Sequence, residues 1–322
     1  MESVDESNLN NYDINSDYYT DFGGTGMKKV IVTIALLLTL IIGNQEQVFA
    51  EEFSDIYVKK DMTEGEVRAN TSTGTLGDNG GFQWTYDTST KTLTVTGEDT
   101  LSIGYSSPFY EIDSKVKKIV FKNCIFKGKL NSLCGNLSCL KEVQFNNCDT
   151  FAVTDMSSMF SGCSSLTQLD VSGFNTSNVT DMGAMFGGCS NLTQLDVSGF
   201  NTSNITDMGA MFSGCSGLTR LEVSNFNTSN VTNMYSMFEG CLNLTKLDVS
   251  GFDTSNVTSM QGMFGNCNNL TTLDVSGFDT SKVTYMTGMF GGCTNLKNLN
   301  VSRFNTSNVV EMSGIFRGCS SL

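Results

Sequence analysis

The residues of this 322-residue chain that could do chemistry are thiols and carboxylates, and both recur at one fixed interval. Cys163, Cys189, Cys215, Cys241, Cys267, Cys293 and Cys319 stand 26 residues apart. Asp170, Asp196, Glu222, Asp248 and Asp274 keep the same spacing, and Asn300 closes their row. A thiol works as a nucleophile when a base or a cation makes it a thiolate. A column of identical thiols supplies no such partner, and the chain contains no histidine, the commonest general base and metal ligand. With no histidine and no C-x-x-C pair there is no zinc pattern, and no Asp-rich loop has calcium-type spacing. The one irregular segment, 98–115 around the sole proline Pro108, holds no nucleophile–base pair. A catalytic centre needs different groups converging on one point, whereas this chain presents the same groups repeatedly. The sequence offers no catalytic, cofactor-binding or metal site and reads as non-enzymatic.

The elements that carry these residues follow from the same interval. Met156, Met182, Met208, Met234, Met260, Met286 and Met312 form one column, and Phe160 to Phe316 form another. Such a period marks a solenoid, in which each unit buries its apolar face against its neighbours. Leu166-x-x-Leu169-x-Val171-x-x-Phe174 and its copies follow the leucine-rich-repeat strand pattern, with Phe in place of the final Asn or Cys. Two degenerate units precede them, Val116-x-x-Ile119-x-Phe121-x-x-Cys124 and Leu140-x-x-Val143-x-Phe145-x-x-Cys148. In Val179-x-x-Met182-x-x-Met185-Phe186-x-x-Cys189 the apolar residues fall at helical spacing, with Ser177, Asn178 or Thr180 to cap the start and Gly187/Gly188 to end it. The expected fold is therefore an α/β repeat: a leucine-rich-repeat-type solenoid with one short strand and one short helical segment per coil. A β-hairpin over Gly74–Gly97, with Trp84, Leu93 and Val95 on its buried side, is placed to cap the open end.

Within this frame the methionines and phenylalanines are core filler. The periodic cysteines read as a ladder of buried free thiols, because stacked parallel Cβ vectors suit a disulfide poorly. Cys134 with Cys139, or Cys124 with Cys148, could pair in the irregular region. The Asn175 column would satisfy backbone groups at the turn leaving the strand. Period-2 alternation turns two rows outward as a candidate partner-binding face: Gln168, Gln194, Arg220, Lys246, Thr272 and Asn298 beside Asp170, Asp196, Glu222, Asp248, Asp274 and Asn300. Stacked carboxylates repel, so hydrogen bonds from the Thr167 and Ser172 columns, a cation or a basic partner must offset them.

The formal net charge of −14 argues against nucleic acid as a partner. Met27-Lys28-Lys29, the apolar run Val30 to Ile42 and Val48-Phe49-Ala50 have the organisation of a signal peptide, with an apolar run shorter than the ~20 residues that span a bilayer. The expected organisation is an upstream extension (1–26), a signal peptide (27–50), a linker (51–72), a hairpin cap region (73–114) and the solenoid (115–322). The pattern stops at Cys319-Ser320-Ser321-Leu322, where a further strand would begin, so the array is expected to be cut short.

The recurring M-x-x-M-F-x-G-C-x-x-L-T-x-L-D-V-S-x-F-N/D-T-S-N-V-T over about 115–322 resembles the BspA-like leucine-rich-repeat surface proteins of bacteria, and the Gly74–Gly97 segment resembles one that often precedes such arrays. The resemblance implies an exported, non-enzymatic bacterial surface protein, secreted or held at the cell surface. Its array would bind an extracellular protein or cell-surface ligand, plausibly in adhesion to host matrix or other cells, with no cofactor and no small-molecule substrate. The alternative is a rigid spacer that displays a further domain.

Overall fold

A computed structural model of the chain describes residues 71–102, 107–109, 112 and 115–322. The expected extension, the signal peptide and all but the last two residues of the linker lie outside the described residues. Strands β1 (Thr71–Leu76), β2 (Phe82–Asp87) and β3 (Thr92–Leu101) pair antiparallel in sequence order. The β2–β3 turn closes because Asp87 Oδ1 accepts the Ser89 and Thr90 N–H groups and Lys91 takes φ 58°. Phe82, Tyr86, Leu93 and Val95 face the core, while Trp84 is half-buried and donates Nε1–H to Thr75 O at 3.3 Å.

From β3 onward the pairing is parallel. β4 (Lys118–Lys129) runs beside β3, and β5 (Glu142–Asn146) and β6 (Asp149–Asp155) both lie against β4. The short β7 (Gln168–Leu169) follows β5. The β4–β5 register, Ile119↔Val143 and Phe121↔Phe145, is the in-phase stacking that a solenoid requires. A bulge opposite the Thr96–Gly97 step, where β4 carries the extra residue Asn123, lets β3 follow β4, and a Cβ at Gly97 (φ +121°) would collide with the Gly81 carbonyl oxygen.

The expected helical segment does not form; among the described residues there is no helix. In an α-helix every N–H returns to the carbonyl four residues back. Here alternate N–H groups leave the segment. Those of Met156, Ser158, Phe160 and Gly162 donate to Asp181, Gly183, Met185 and Gly187 in the next coil, at 2.7–3.0 Å. Those of Met159, Ser161 and Cys163 close three-residue turns onto Met156, Ser158 and Phe160. Ser158 and Gly162 take positive φ, 54° and 73°, which interrupts any right-handed run. Two turns closing every four residues place Met156, Met159, Phe160 and Cys163 inward, the same i, i+3, i+4, i+7 set that a helix would bury. The same turns recur at Ala184/Gly188, Ala210/Gly214, Ser236/Gly240 and Gly288/Gly292. At Gly188 (φ +75°) an added Cβ would also come within 3.4 Å of the Gly162 backbone.

Columns of like residues fill the core. The rings from Phe160 to Phe316 stack 5.7–5.9 Å apart with interplanar angles of 3–11°. A buried threonine ladder welds the coils beside them. Thr176 Oγ1 donates to Asn201 O at 3.0 Å and accepts the Asn201 N–H at 2.8 Å, and Thr202 repeats both bonds to Asn227. All eleven cysteines are free thiols, and the column from Cys163 to Cys293 is buried. Each of its sulfurs beyond the first coil donates to a carbonyl 29 residues back, as Cys189 does to Phe160 O at 3.2 Å. Cys134 is buried and Cys139 exposed, and they do not pair.

Candidate interaction face

The expected strand of each regular coil is only partly realised. Burial alternates along it as the pattern requires: Leu169 and Val171 are inward, and Gln168, Asp170 and Ser172 are exposed. Ladder pairing, however, ends at β7, and beyond it a single bridge joins Thr272 to Asn298. The cause is local. Asp170 Oδ1 accepts both the N–H (2.9 Å) and the Oγ–H (2.7 Å) of Ser172. Asp196 with Ser198, Asp248 with Ser250, Asp274 with Ser276 and Asn300 with Ser302 do the same. A side chain that captures a backbone donor two residues on competes with the sheet ladder.

These bonds decide the electrostatics of the row. The Ser172 hydroxyl and then its N–H hold the Asp170 carboxyl below its ordinary value, against a smaller opposing push from burial and from Asp196. Asp196, Asp248 and Asp274 are lowered by their serines in the same way. The Ser172 column therefore offsets the repulsion. The Thr167 hydroxyl instead lies 3.5 Å from Lys141 O. Glu222 reaches sideways to Arg220 Nε at 2.8 Å, an exposed pair of little energetic consequence. The Asn175 column behaves likewise one turn later, with Asn175 Oδ1 accepting the N–H and Oγ–H of Ser177.

All twelve residues of the expected face are exposed on one side of the array. Beneath this face the underlying leucines surface slightly. Leu169, Leu195, Leu221, Leu247 and Leu273 keep 3–8% of their area, whereas the Leu166 column keeps none. Over three successive coils the face opens into a groove of about 580 Å³. Its floor is Leu247, Leu273 and Leu299, with Lys246, Thr272 and Asn298 on one rim and Asp248, Asp274 and Asn300 on the other. The geometry suits an extended segment laid across the coils, with apolar contact below and charge-assisted hydrogen bonds at the rim.

A second carboxylate column is one that the sequence pattern did not single out. Asp155, Asp181 and Asp207 stack on the turn side, joined by parallel bridges, and the column continues as Asn233, Ser259, Tyr285 and Glu311. Burial first, and then Asp207 and Asp155, push the Asp181 carboxyl up, while the Gly183 N–H pulls it down. Asn233 Nδ2 donates to both oxygens of Asp207, and Lys129 lies 3.7 Å from Asp155. The signal lies in the repeated Asp-Met pairs that open the first three units.

Residues 129–243 and 215–322 match the family described as "Mycoplasma protein of unknown function, DUF285", and the chain belongs to that family. Among solved structures it is similar to a leucine-rich repeat protein from Eubacterium ventriosum ATCC 27560. The identity is 13%, the coverage 78% of this chain and 95% of that one, and the TM-score 0.27. No curated protein matches the chain.

Proposed function

We propose that this member of the family is an exported, non-enzymatic bacterial surface protein whose repeat array binds another protein along the Gln168–Asn300 face. The finer reading, a BspA-like adhesin for host matrix or other cells, rests on the resemblance of the repeat and on the signal-peptide organisation of residues 27–50. One observation carries the binding role: the groove across Leu247, Leu273 and Leu299, where apolar floor and charged rim coincide. Its partner is a protein segment carrying basic side chains, because Asp248 and Asp274 each hold their serine through Oδ1, with Oδ2 left to meet a cation.

The test is binding of the purified chain to immobilised extracellular-matrix proteins and to whole microbial cells, at two salt concentrations. The triple variant Asp196→Asn, Asp248→Asn, Asp274→Asn runs in parallel. Asn300 already caps Ser302 at 3.1 and 2.8 Å, so asparagine keeps the local fold and removes only charge. Saturable, salt-sensitive binding that the variant loses supports the reading. Binding that survives the variant moves the site off this face. No binding by a well-folded array leaves the spacer role.

A further inference from the structure

Two tyrosines on the turn side are surplus to the fold. Between Met156 and Val309 the large hydrophobic side chains left exposed among the described residues are Tyr235, Leu242 and Tyr285. The tyrosines keep 44% and 49% of their area, and Leu242 lies further round its coil. Both interrupt columns that are otherwise small or polar: Gly183 and Gly209 precede Tyr235, and Ser259 precedes Tyr285. The coil asks only a carbonyl of these positions. Gly183 O and Gly209 O accept the Ser158 and Ala184 N–H groups at 2.7 Å, and Tyr235 O does the same for Ala210. Ser259 O accepts the Met234 N–H at 3.0 Å, and Tyr285 O that of Met260 at 2.9 Å. Glycine and serine therefore meet the structural need as well as tyrosine does, and the two rings are left over for another use.

Their placement narrows that use. The parallel bridges Asn233↔Ser259 and Ser259↔Tyr285 set Tyr285 two coils beyond Tyr235, ~10 Å along the array at the spacing of parallel segments. Ser259 and Gln261 occupy the coil between, half-buried, and their backbone carbonyls rather than their side chains make the coil-to-coil bonds. Those bonds, at 2.8–3.0 Å from Met234 to Ser259, Ser236 to Gln261 and Gly262 to Thr287, hold the strip in place before any ligand arrives. A flat ring, an amide with a hydroxyl, and a second flat ring suit a sugar chain. The C–H face of a pyranose packs on an aromatic ring, while its hydroxyl edge needs donors and acceptors such as Gln261 supplies. An extended β-1,4-linked glycan restores its ring orientation every disaccharide, over about the length of two coils. Alternate sugars then present the same face to Tyr235 and Tyr285, and the sugar between them meets Gln261. A protein partner would want a contiguous apolar centre, whereas polar side chains separate these tyrosines. We propose that the Tyr235–Gln261–Tyr285 strip binds an extended β-1,4-linked glycan chain laid along the array, on a surface separate from the Gln168–Asn300 face.

The experiment is calorimetric titration of the full chain with cellohexaose, N-acetylchitohexaose and maltohexaose. Saturable binding of either β-linked hexamer is expected, and the two arms tell whether the acetamido group is read. Maltohexaose, whose α-linkages curve the chain out of step with the coils, should not bind. Tyr235→Ala and Tyr285→Ala should each weaken binding roughly fivefold, and the double variant should lose it, while Tyr235→Phe keeps it. Both side chains are exposed, so thermal unfolding of these variants should match the native chain. The variant Asp196→Asn, Asp248→Asn, Asp274→Asn should bind the glycan normally, which separates this site from the other face. Absence of binding by both β-linked hexamers overturns the proposal, as does equal binding of maltohexaose or a double alanine variant that still binds. So does a double variant that loses capture of a protein partner when the native chain binds no glycan, which would make the strip a protein contact.

Discussion

Strands β4 and β5 and the regular coils carry the same Leu/Ile/Val-x-x-apolar-x-apolar pattern, yet the first pair as a sheet and the second do not. Aligned by that pattern, the position between the two inward residues is Val120 in β4, Gln144 in β5 and Asp170 in the next coil. Pairing is complete between β4 and β5, shrinks to Gln168–Leu169 where Asp170 enters, and then nearly disappears. The apolar positions set which side chains are buried in both regions. The polar residue between them offers a backbone donor an alternative partner, as Asp170 does for the Ser172 N–H. What holds the regular coils together is the other side, where the turn ladder, the Phe column and the Thr column all bond coil to coil.

The largest expected effect tests that division of labour. Phe238 is fully buried, with its ring 5.8 Å from both Phe212 and Phe264. Phe238→Ala should open a cavity and cost about 3–5 kcal/mol, spread over the adjacent coils because each coil is supported by its neighbours. Chemical denaturation reads this directly. Unchanged stability would mean that the bonded side is not the source of cohesion.

Burial columns, the repeat period and the outward rows are all legible in the sequence, since they depend only on which positions are apolar. The turn-based half is not. A stretch with Met156, Met159, Phe160 and Cys163 inward satisfies helical spacing whether its N–H groups close onto the fourth residue back or alternate between a turn and the next coil. The discriminating residues are the glycines at 162, 188, 214, 240, 292 and 318, inside the segment where a helix would want alanine or leucine. Gly188, readable as the end of a helix, instead takes positive φ within a run of turns, as does Ala184 four residues earlier. The acidic row is legible as a position and not as a bonding state, because capture of Ser172 by Asp170 depends on backbone geometry that the alternation pattern leaves open.

A smaller effect sharpens the comparison at the junction itself. Asp170 stands beside β5, a strand able to pair, and its hold on Ser172 competes with that pairing. Asp170→Val recreates the β4 residue at that position and returns the Ser172 N–H to the ladder. Amide exchange at Val171 and Ser172 should slow as β7 lengthens, with stability changing by no more than about 1 kcal/mol. Exchange as fast as in the native chain would show that something other than the aspartate keeps the coils apart.

The smallest effect separates one carboxylate from each column, Asp196 and Asp181, whose environments push them in opposite senses. Asp196 on the open face has its folded value depressed by Ser198. Its contribution to stability is present above the unfolded value, about 3.9, and is lost as pH falls through the depressed folded value. Asp181 on the bonded side has its folded value raised by burial and by its two acidic neighbours. The folded state then holds that proton more tightly than the unfolded one. Asp181 costs nothing at low pH and becomes destabilising as pH rises from the unfolded value through the raised one. Asp181→Asn keeps an oxygen for the Gly183 N–H, now at 2.8 Å, and adds an amide that can donate to Asp207 as Asn233 does. It should raise stability at pH 7 by less than about 1 kcal/mol and leave it unchanged at the acid end. Carboxyl carbon shifts followed by NMR across the titration give the order independently, with Asp181 protonating at higher pH than Asp196. The reverse order, or an Asp181→Asn variant that is less stable at pH 7, would mean that the turn-side carboxylates are held by bonding strong enough to outweigh both burial and their mutual repulsion.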